Sequence, residues 1–575
     1  MSKPLIKIQQ REALAENALP ADMHPLLRKI YTNRGITDAD ELNQSMQYLA
    51  RPAELAQVDR AVERLAIAIE QAESILVIGD FDADGATGTA VALRALRMLG
   101  ASNVSYTVPN RFKYGYGLTE GLVNDISKPL PAVILTVDNG VSSIAGAARA
   151  AELGMDVIVT DHHLPGEVLP AVYAMVNPNQ PGDTFPSKNL AGVGVVFYLM
   201  LALRARLKAD NRLPEPVPNL GSLLDIVALG TVADVVPLDH NNRILVAQGL
   251  ARIRSGQAAP GILALLNAGN RHHCRAVASD LGFTVGPRLN AAGRLEDMGR
   301  GIECLLTDDL ATAKAIAAEL DQLNKDRRKL QDDMQAEALQ ILQNAQQTLD
   351  NTSEGSFGFC LYDAGWHQGV VGLVASKIKD KLHKPVVAFA PEGEGSDLMK
   401  GSARSIRGIH IRDIFAHMDA QQPDLINTFG GHSMAAGLSL PIANLGRFEA
   451  QFNLSLQALV NPLVFTNVIE TDGSLPAEHL NLETAQELRY AGPWGQAFPE
   501  PTFHDQFTVV NKRLVGGAHL KMLLQSQAGD IIDAIAFFQD ESALNGRAQI
   551  EVVYRLDVNE FRGQSNLQLM IEHIL

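Results

Sequence analysis

Five short runs of apolar, largely β-branched residues constrain this chain more than any other feature: Ile75–Ile78, Val133–Val137, Val157–Thr160, Ala174–Val176 and Ile226–Leu229. Ala/Leu-rich stretches with helical spacing separate them. That alternation marks βαβ units, and continuous apolarity predicts strands of a parallel sheet buried on both faces. The residues just after these runs carry the chemistry. Gly79-Asp80-Phe81-Asp82-Ala83-Asp84-Gly85 comes directly after the first run and precedes a helix expected from near Thr87. The second runs into Asp138-Asn139-Gly140 and the third into Asp161-His162-His163. The last leads through Gly230-Thr231-Val232-Ala233 to Asp234.

Open α/β sheets place ligands at the carboxyl ends of their strands. Closely spaced carboxylates repel and do not all stay ionised without a cation. A hard divalent ion, Mg²⁺ or Mn²⁺, removes that conflict, and imidazole among carboxylates suits Mn²⁺ or Zn²⁺ better than Ca²⁺. Two ions bridged by shared carboxylates would activate water and clamp both oxygens of an in-line phosphoryl displacement. An EF-hand fails on spacing, because the twelfth position from Asp80 is Val91 where a bidentate Glu belongs. No GxGxxG follows the first run and no GxxxxGK[ST] occurs, so neither dinucleotide binding nor ATP hydrolysis is supported.

The expected organisation has five parts. Residues 1–70 lean helical and carry Pro4, Pro20, Pro25 and Pro52, reading as an irregular cap. Residues 71–305 form the sheet domain. Ile302–Glu354 contains neither Gly nor Pro. A connector over 306–350, with helix from about 308 to 349, would span about 60 Å at about 1.5 Å per residue; two helices broken near Asn324 are the alternative. Residues 351–455 read as a second, glycine-rich α/β domain. In 456–575, Ile550, Val552, Tyr554 and Leu556 alternate with polar residues, as do Leu567, Leu569 and Ile571, predicting a small barrel or sandwich.

Composition narrows the function. Lys+Arg is 49 against 65 Asp+Glu, a net charge of −16, so nucleic-acid binding requires basic residues concentrated in a groove. Three well-separated cysteines, Cys274, Cys304 and Cys360, predict neither a disulfide framework nor a CxxC site, and fit a reducing compartment, the cytoplasm. The N-terminus has no apolar core of a signal peptide. The longest apolar run, Ala191–Leu203, has 13 residues, too few for a bilayer-spanning helix of about 20.

Asp161-His162-His163 resembles the name-giving motif of the DHH phosphoesterases. Further stretches match the branch of that family acting on single-stranded DNA: Pro109–Gly117, Asn189–Phe197, Leu229–Leu238, Phe283–Leu295, Trp366–Lys377, Lys400–Ser405 and Phe429–Gly437. The last three resemble the DHHA1 substrate-binding domain, and the terminal β region resembles an OB-fold. The resemblance implies an α/β DHH catalytic domain, a connector helix, an α/β DHHA1 domain and an OB-type barrel. It implies Asp80, Asp82, Asp84, Asp138, His162 and Asp234 as ligands of one or two Mn²⁺ or Mg²⁺ ions, and His163 beside the scissile phosphate. The catalytic group is then Asp82, Asp84, Asp138, His162, His163 and Asp234. Arg111, Arg288, Arg294, Ser402, Arg404 and His432 are implied to hold the substrate and its 5′-terminal phosphate. The implied activity is 5′→3′ degradation of single-stranded DNA to 5′-mononucleotides by water attack, in repair and recombination. Implied partners are a single-strand DNA-binding protein and a RecQ-type helicase, with no membrane, for a monomeric protein. Lys512, Arg513 and Lys521 are basic candidates on the barrel, where Phe507 and Tyr554 read first as core. Two alternatives stay open: a family member acting on short substrates, such as an oligoribonuclease, cyclic-dinucleotide phosphodiesterase or pyrophosphatase, and a non-catalytic single-strand binder.

Overall fold

The computed structural model describes residues 6–12, 18–110, 113–349, 356–393, 395–561 and 563–575. The parallel sheet forms over four of the five apolar runs. Its strand order is Val104–Thr107, Ile75–Ile78, Val133–Val137, Asp156–Thr160, Ala174–Val176. In order of appearance along the chain this is 2-1-3-4-5, a doubly wound order whose switch point lies between Ile75–Ile78 and Val133–Val137. Ile78 pairs with Thr136, and Val137 with Thr160. Asp138 and Asp161 therefore leave the sheet side by side.

Two local expectations fail. Ile226–Leu229 is not a strand: it lies in the helix Leu224–Ala233, and Asp234 is that helix's C-cap. Every residue from Leu224 to Thr231 is buried, so the run shows no polar face. Apolar continuity alone does not separate a buried helix from a buried strand. The first helix of the sheet domain begins at Ala83, not near Thr87, because Asp82 caps it by accepting from the N–H groups of Asp84 and Gly85.

The chain divides into two compact units. The larger comprises residues 10–324 and 471–575. Its sheet is covered by Val58–Glu70, Ala83–Met98 and Gly192–Ala209, which share one core with Leu224–Ala233 and His240–Arg254. Five strands, Phe503–Val515, His519–Gln525, Ile531–Phe537, Gln564–Ile574 and Gln549–Phe561, close into a barrel. Phe507 and Tyr554 are buried in its core, as read from the sequence, together with Leu26 and Ile30 from the helix Pro25–Thr32. In the smaller unit, a five-stranded mixed sheet is packed by Val371–Leu382, Ile411–Gln421 and Leu445–Leu459. The N-terminal stretch is not wholly helical, since Ile6–Gln10 is a strand paired with Asn467–Thr471.

The connector is one continuous helix, Leu310–Leu349. Ala313, Ile316, Ala317 and Leu320 join the core of the larger unit. Met334 and Ala338 join Trp366, Val370 and Val374 in the smaller one. No helix among the described residues is long and apolar enough to cross a membrane.

Candidate metal centre

Four chain ends converge beside the switch point. Asp80, Asp82 and Asp84 follow Ile75–Ile78, Asp138 follows Val133–Val137, His162 and His163 follow Asp156–Thr160, and Asp234 caps Leu224–Ala233. Their donor atoms fall into overlapping sets, each within 4.8 Å: Asp80, Asp82, Asp138; Asp84, His162, Asp234; and Asp138, His162, His163. His162 Nε2 lies 3.2 Å from Asp138 Oδ1, 3.5 Å from Asp234 Oδ2 and 4.0 Å from Asp84 Oδ2.

The surroundings build this crowding. Asp138 has φ 61°, a left-handed conformation that Asp adopts more readily than most residues. A Cβ on Gly192 would stand 2.6 Å from the Asp138 Cβ, so glycine alone lets Gly192–Ala209 start there. The N–H groups of Gly192 and Val193 donate to Asp84 at 2.6 and 2.9 Å. Val235, next to Asp234, has φ 63°. For a β-branched side chain this is strained backbone, which clusters at functional sites.

The three residues of the Asp-His-His motif divide their work. Asp161 is buried, and its Oδ1 accepts from His162 N, His163 N and His163 Nδ1 at 2.8, 3.1 and 2.7 Å. Its Oδ2 accepts from Val141 N at 2.9 Å. Asp161 therefore orients the histidines. Asn179 and Asn177 fix their carbonyls, at 2.7 and 2.9 Å. The Tyr116 hydroxyl donates to the Asp138 carbonyl at 2.8 Å and lies 3.1 Å from His163 Nδ1. Sequence reasoning gave no role to Tyr116, Asn177 or Asn179, and none to Asp161 beyond the motif. The signal for Asp161 was its place directly before two imidazoles at a strand end. The others lie too far along the chain to be placed.

Electrostatics reflect the crowding. Burial, then Asp82, raises the Asp84 carboxyl to about 7. Burial and the neighbouring carboxylates push Asp138 and Asp234 well above the usual range. Burial alone would raise Asp161, but the His163 hydrogen bond and charge hold it low. Burial would likewise lower His163, but Asp161 raises it. Asp138 Oδ1 and Asp234 Oδ2 are buried with no hydrogen-bond donor among the described residues. Oxygens buried in that state, around an imidazole and more carboxylates, fit a divalent cation of the Mn²⁺ or Mg²⁺ kind.

Models of the DHH family N-terminal domain, the DHHA1 domain and the RecJ OB domain match residues 74–231, 355–458 and 471–573. The single-stranded-DNA-specific exonuclease RecJ of Salmonella typhimurium is 49% identical over 575 residues, covering 99% of both chains. This chain belongs to the RecJ family. Two crystal structures of RecJ from Thermus thermophilus resemble it across 99% of its length. The Mn²⁺ complex has TM-score 0.79 at 29% identity, with 79% of that chain covered. The Mg²⁺ complex has TM-score 0.74 at 28% identity, with 78% covered.

The residues expected to hold substrate are placed differently. Arg111 lies outside the described residues. Arg288 is buried, and its three nitrogens are engaged within the protein: Nε and Nη2 meet Asp321 Oδ1 at 2.9 and 2.7 Å, and Nη1 donates to the Thr284 carbonyl at 2.6 Å. This ties Gly286–Leu295 to the connector. Arg294 is half-buried on that same helix. In the smaller unit, Arg404 Nη1 donates to Ser402 Oγ at 2.9 Å. A Cβ on Gly372, in the first turn of Val371–Leu382, would stand 2.7 Å from Arg404 Nη2 and 2.8 Å from Ser402 Oγ. Arg404 and Ser402 thus lie against a helix N-terminus, a combination suited to an anion. His432 lies in the turn between Thr428–Gly431 and Ala435–Pro441. On the barrel, Lys512 pairs with Glu541 and Lys521 with Asp533, at 3.2 and 3.1 Å.

Proposed function

We propose that this chain is a divalent-metal-dependent exonuclease that removes 5′-mononucleotides from the 5′ end of single-stranded DNA. The reading is carried by the meeting of three strand ends and one helix end in a buried acidic cluster at the switch point of the sheet. Asp80, Asp82, Asp84, Asp138, His162 and Asp234 offer the donors, in overlapping sets linked through Asp138 and His162 that suit one or two cations. A divalent cation bound there supplies Lewis-acid polarisation and a reactive water at neutral pH.

The chain's own residues do the rest. Asp161 accepts from His163 Nδ1 and favours its imidazolium, whose Nε2–H can donate to a phosphoryl or leaving oxygen. Tyr116 backs the same ring. Gly192 and Val193 fix Asp84, so the cluster keeps its shape as charge changes. No side chain is placed as a covalent nucleophile, and water fills that role. Arg111, Arg294, Ser402, Arg404 and His432 are assigned to the 5′-terminal phosphate and the strand behind it. An anchor fitting only a phosphorylated end sets polarity. We assign residues 71–305 to catalysis, 351–455 to substrate binding and 456–575 to single-strand binding. In the cell the enzyme is placed in the cytoplasm as a monomer in repair and recombination, with a single-strand DNA-binding protein and a helicase supplying its strand.

The test is digestion of oligonucleotides labelled at one end, single-stranded or duplex, in Mn²⁺, Mg²⁺ or EDTA. The expected result is mononucleotides released first from the 5′ end, from single strands and only with metal. Cleavage of RNA dinucleotides without cleavage of DNA would overturn the substrate reading. DNA binding without cleavage in Mn²⁺ would overturn the enzyme reading.

A further inference from the structure

A second group of metal-ligating side chains lies in the larger unit, between the helix Pro260–Ala268 and the turn leading into Gly286–Leu295. His272, His273 and Cys274 occupy the start of a single 3₁₀ turn, His273–Arg275. One donor atom from each lies within 4.8 Å of the other two. We propose that these three residues form a metal site chemically distinct from the acidic centre, taking a borderline d-block cation of the Zn²⁺ class and leaving one position open.

Geometry supports the assignment first. Cys274 Sγ is 3.4 Å from His273 Nε2. A tetrahedral ion with bonds of about 2.3 Å to sulfur and about 2.0 Å to nitrogen separates such atoms by about 3.5 Å. The His272 and His273 rings stack at 5.0 Å and 19°, and the His272 donor falls within 4.8 Å of the other two. The backbone is already set. Arg271 N donates to the Leu266 carbonyl at 2.8 Å, Arg275 N to His272 at 3.1 Å and Ala276 N to His273 at 3.0 Å. Arg254 Nε holds the Ala276 carbonyl at 2.8 Å.

The nearest guanidiniums all have partners. Arg271 pairs with Asp280 at 3.2 Å and Arg275 pairs with Glu560 on the barrel, while Arg254 and Arg489 are drawn to the Ala276 and Arg275 carbonyls and the Tyr490 ring. Cys274 would bind as thiolate, its proton passing to solvent, adding one negative charge to the site. Donor type separates the two centres. A thiolate with two imidazoles selects Zn²⁺, Co²⁺ or Ni²⁺, whereas a carboxylate-rich cluster admits Mg²⁺ and Mn²⁺. Cys274 and His272 are exposed, so the fourth position faces solvent and a bound ion exchanges. Three protein ligands with an open place match a regulatory or exchangeable site rather than a closed structural one. An ion there would clip the loop that Arg275 joins to the barrel.

The full-length protein, its acidic centre saturated with Mg²⁺, is titrated with Co²⁺. The expected result is a thiolate-to-cobalt charge-transfer band that saturates well below millimolar cobalt, after allowance for cobalt taken up by the acidic centre. Cys274→Ser removes the band, and His273→Ala or His272→Ala weakens binding by at least about tenfold. Cys304 is fully buried, so it does not substitute for Cys274. Mg²⁺-dependent nuclease activity is expected unchanged in Cys274→Ser. No band, an equal band in Cys274→Ser, or saturation only at millimolar cobalt overturns the proposal. A band from a wild-type protein that digests no DNA would instead sink the nuclease reading and leave this site standing.

Discussion

Two sets of buried aspartates within the larger unit are treated in opposite ways. Asp472 is enclosed by partners: Arg34 at 3.0 Å, Arg11 at 3.3 Å, the Asn33 amide at 2.8 Å and the Thr502 N–H at 3.1 Å. Burial alone would raise its carboxyl, but Arg34 and its other partners hold it below the usual carboxylate range. Asp84 and Asp138 are just as deeply placed, and Asp234 is half-buried beside them, yet they face one another and are pushed upward. Burial therefore does not distinguish a structural aspartate from a functional one. The distinction is whether the protein itself supplies the compensating charge. Asp472 joins the start of the chain to the barrel segment, while the acidic cluster leaves its compensation to come from outside.

Substitutions should split the two sets by sign. Asp138→Asn suits the left-handed backbone at that position. It is expected to cut nuclease activity by well over the roughly 10–100-fold that accompanies loss of a group merely supporting a ligand. Unfolding of the metal-free protein should become no easier, because a carboxyl whose anion burial and its neighbours disfavour is replaced by a neutral amide. A marked destabilisation without metal would break the comparison. Asp472→Asn should do the reverse, lowering unfolding free energy by about 3–5 kcal/mol because Arg34 is left buried without its counter-charge. Activity per folded molecule should be retained, as read by denaturant unfolding beside the nuclease assay.

The pH dependence of that second variant sharpens the contrast. The folded carboxyl of Asp472 lies below its unfolded value of about 3.9. Its contribution is complete above that value and is lost as pH falls through the lower folded one. Wild-type stability should therefore drop below about pH 4 more steeply than that of Asp472→Asn, measured by thermal unfolding across the acid range. Parallel curves would remove Asp472 from the account. The smallest effect is expected at Val235→Gly. Relief of the left-handed strain and the added chain entropy oppose each other, so stability should shift by no more than about 1 kcal/mol. Nuclease activity should fall, because Asp234 is less firmly placed. Unchanged activity would show that the strain at Val235 does not position its neighbour.

Four strands of the catalytic sheet and the chemistry of three of their ends were legible from local pattern, as were the connector helix and the buried faces of the barrel. A run of β-branched residues closing on Asp or His acts over a few positions, and so do a turn and a cap. Ile226–Leu229 was misread because a segment buried on every side carries no periodicity to separate helix from strand. Asp234 nonetheless belongs to the cluster, since its position depends on where the run ends and not on its conformation. Other assignments required the folded chain. Asp161 and His162 are adjacent in sequence, but one binds backbone and imidazole while the other meets Asp138 and Asp234. Arg288 sits in a motif that suits phosphate, yet its guanidinium is engaged by Asp321, 33 residues away. Residue type and local spacing thus determined which groups could carry charge at the sheet edge. Only tertiary packing decided which charges would find partners within the protein, because that choice is made across distances the sequence does not encode locally.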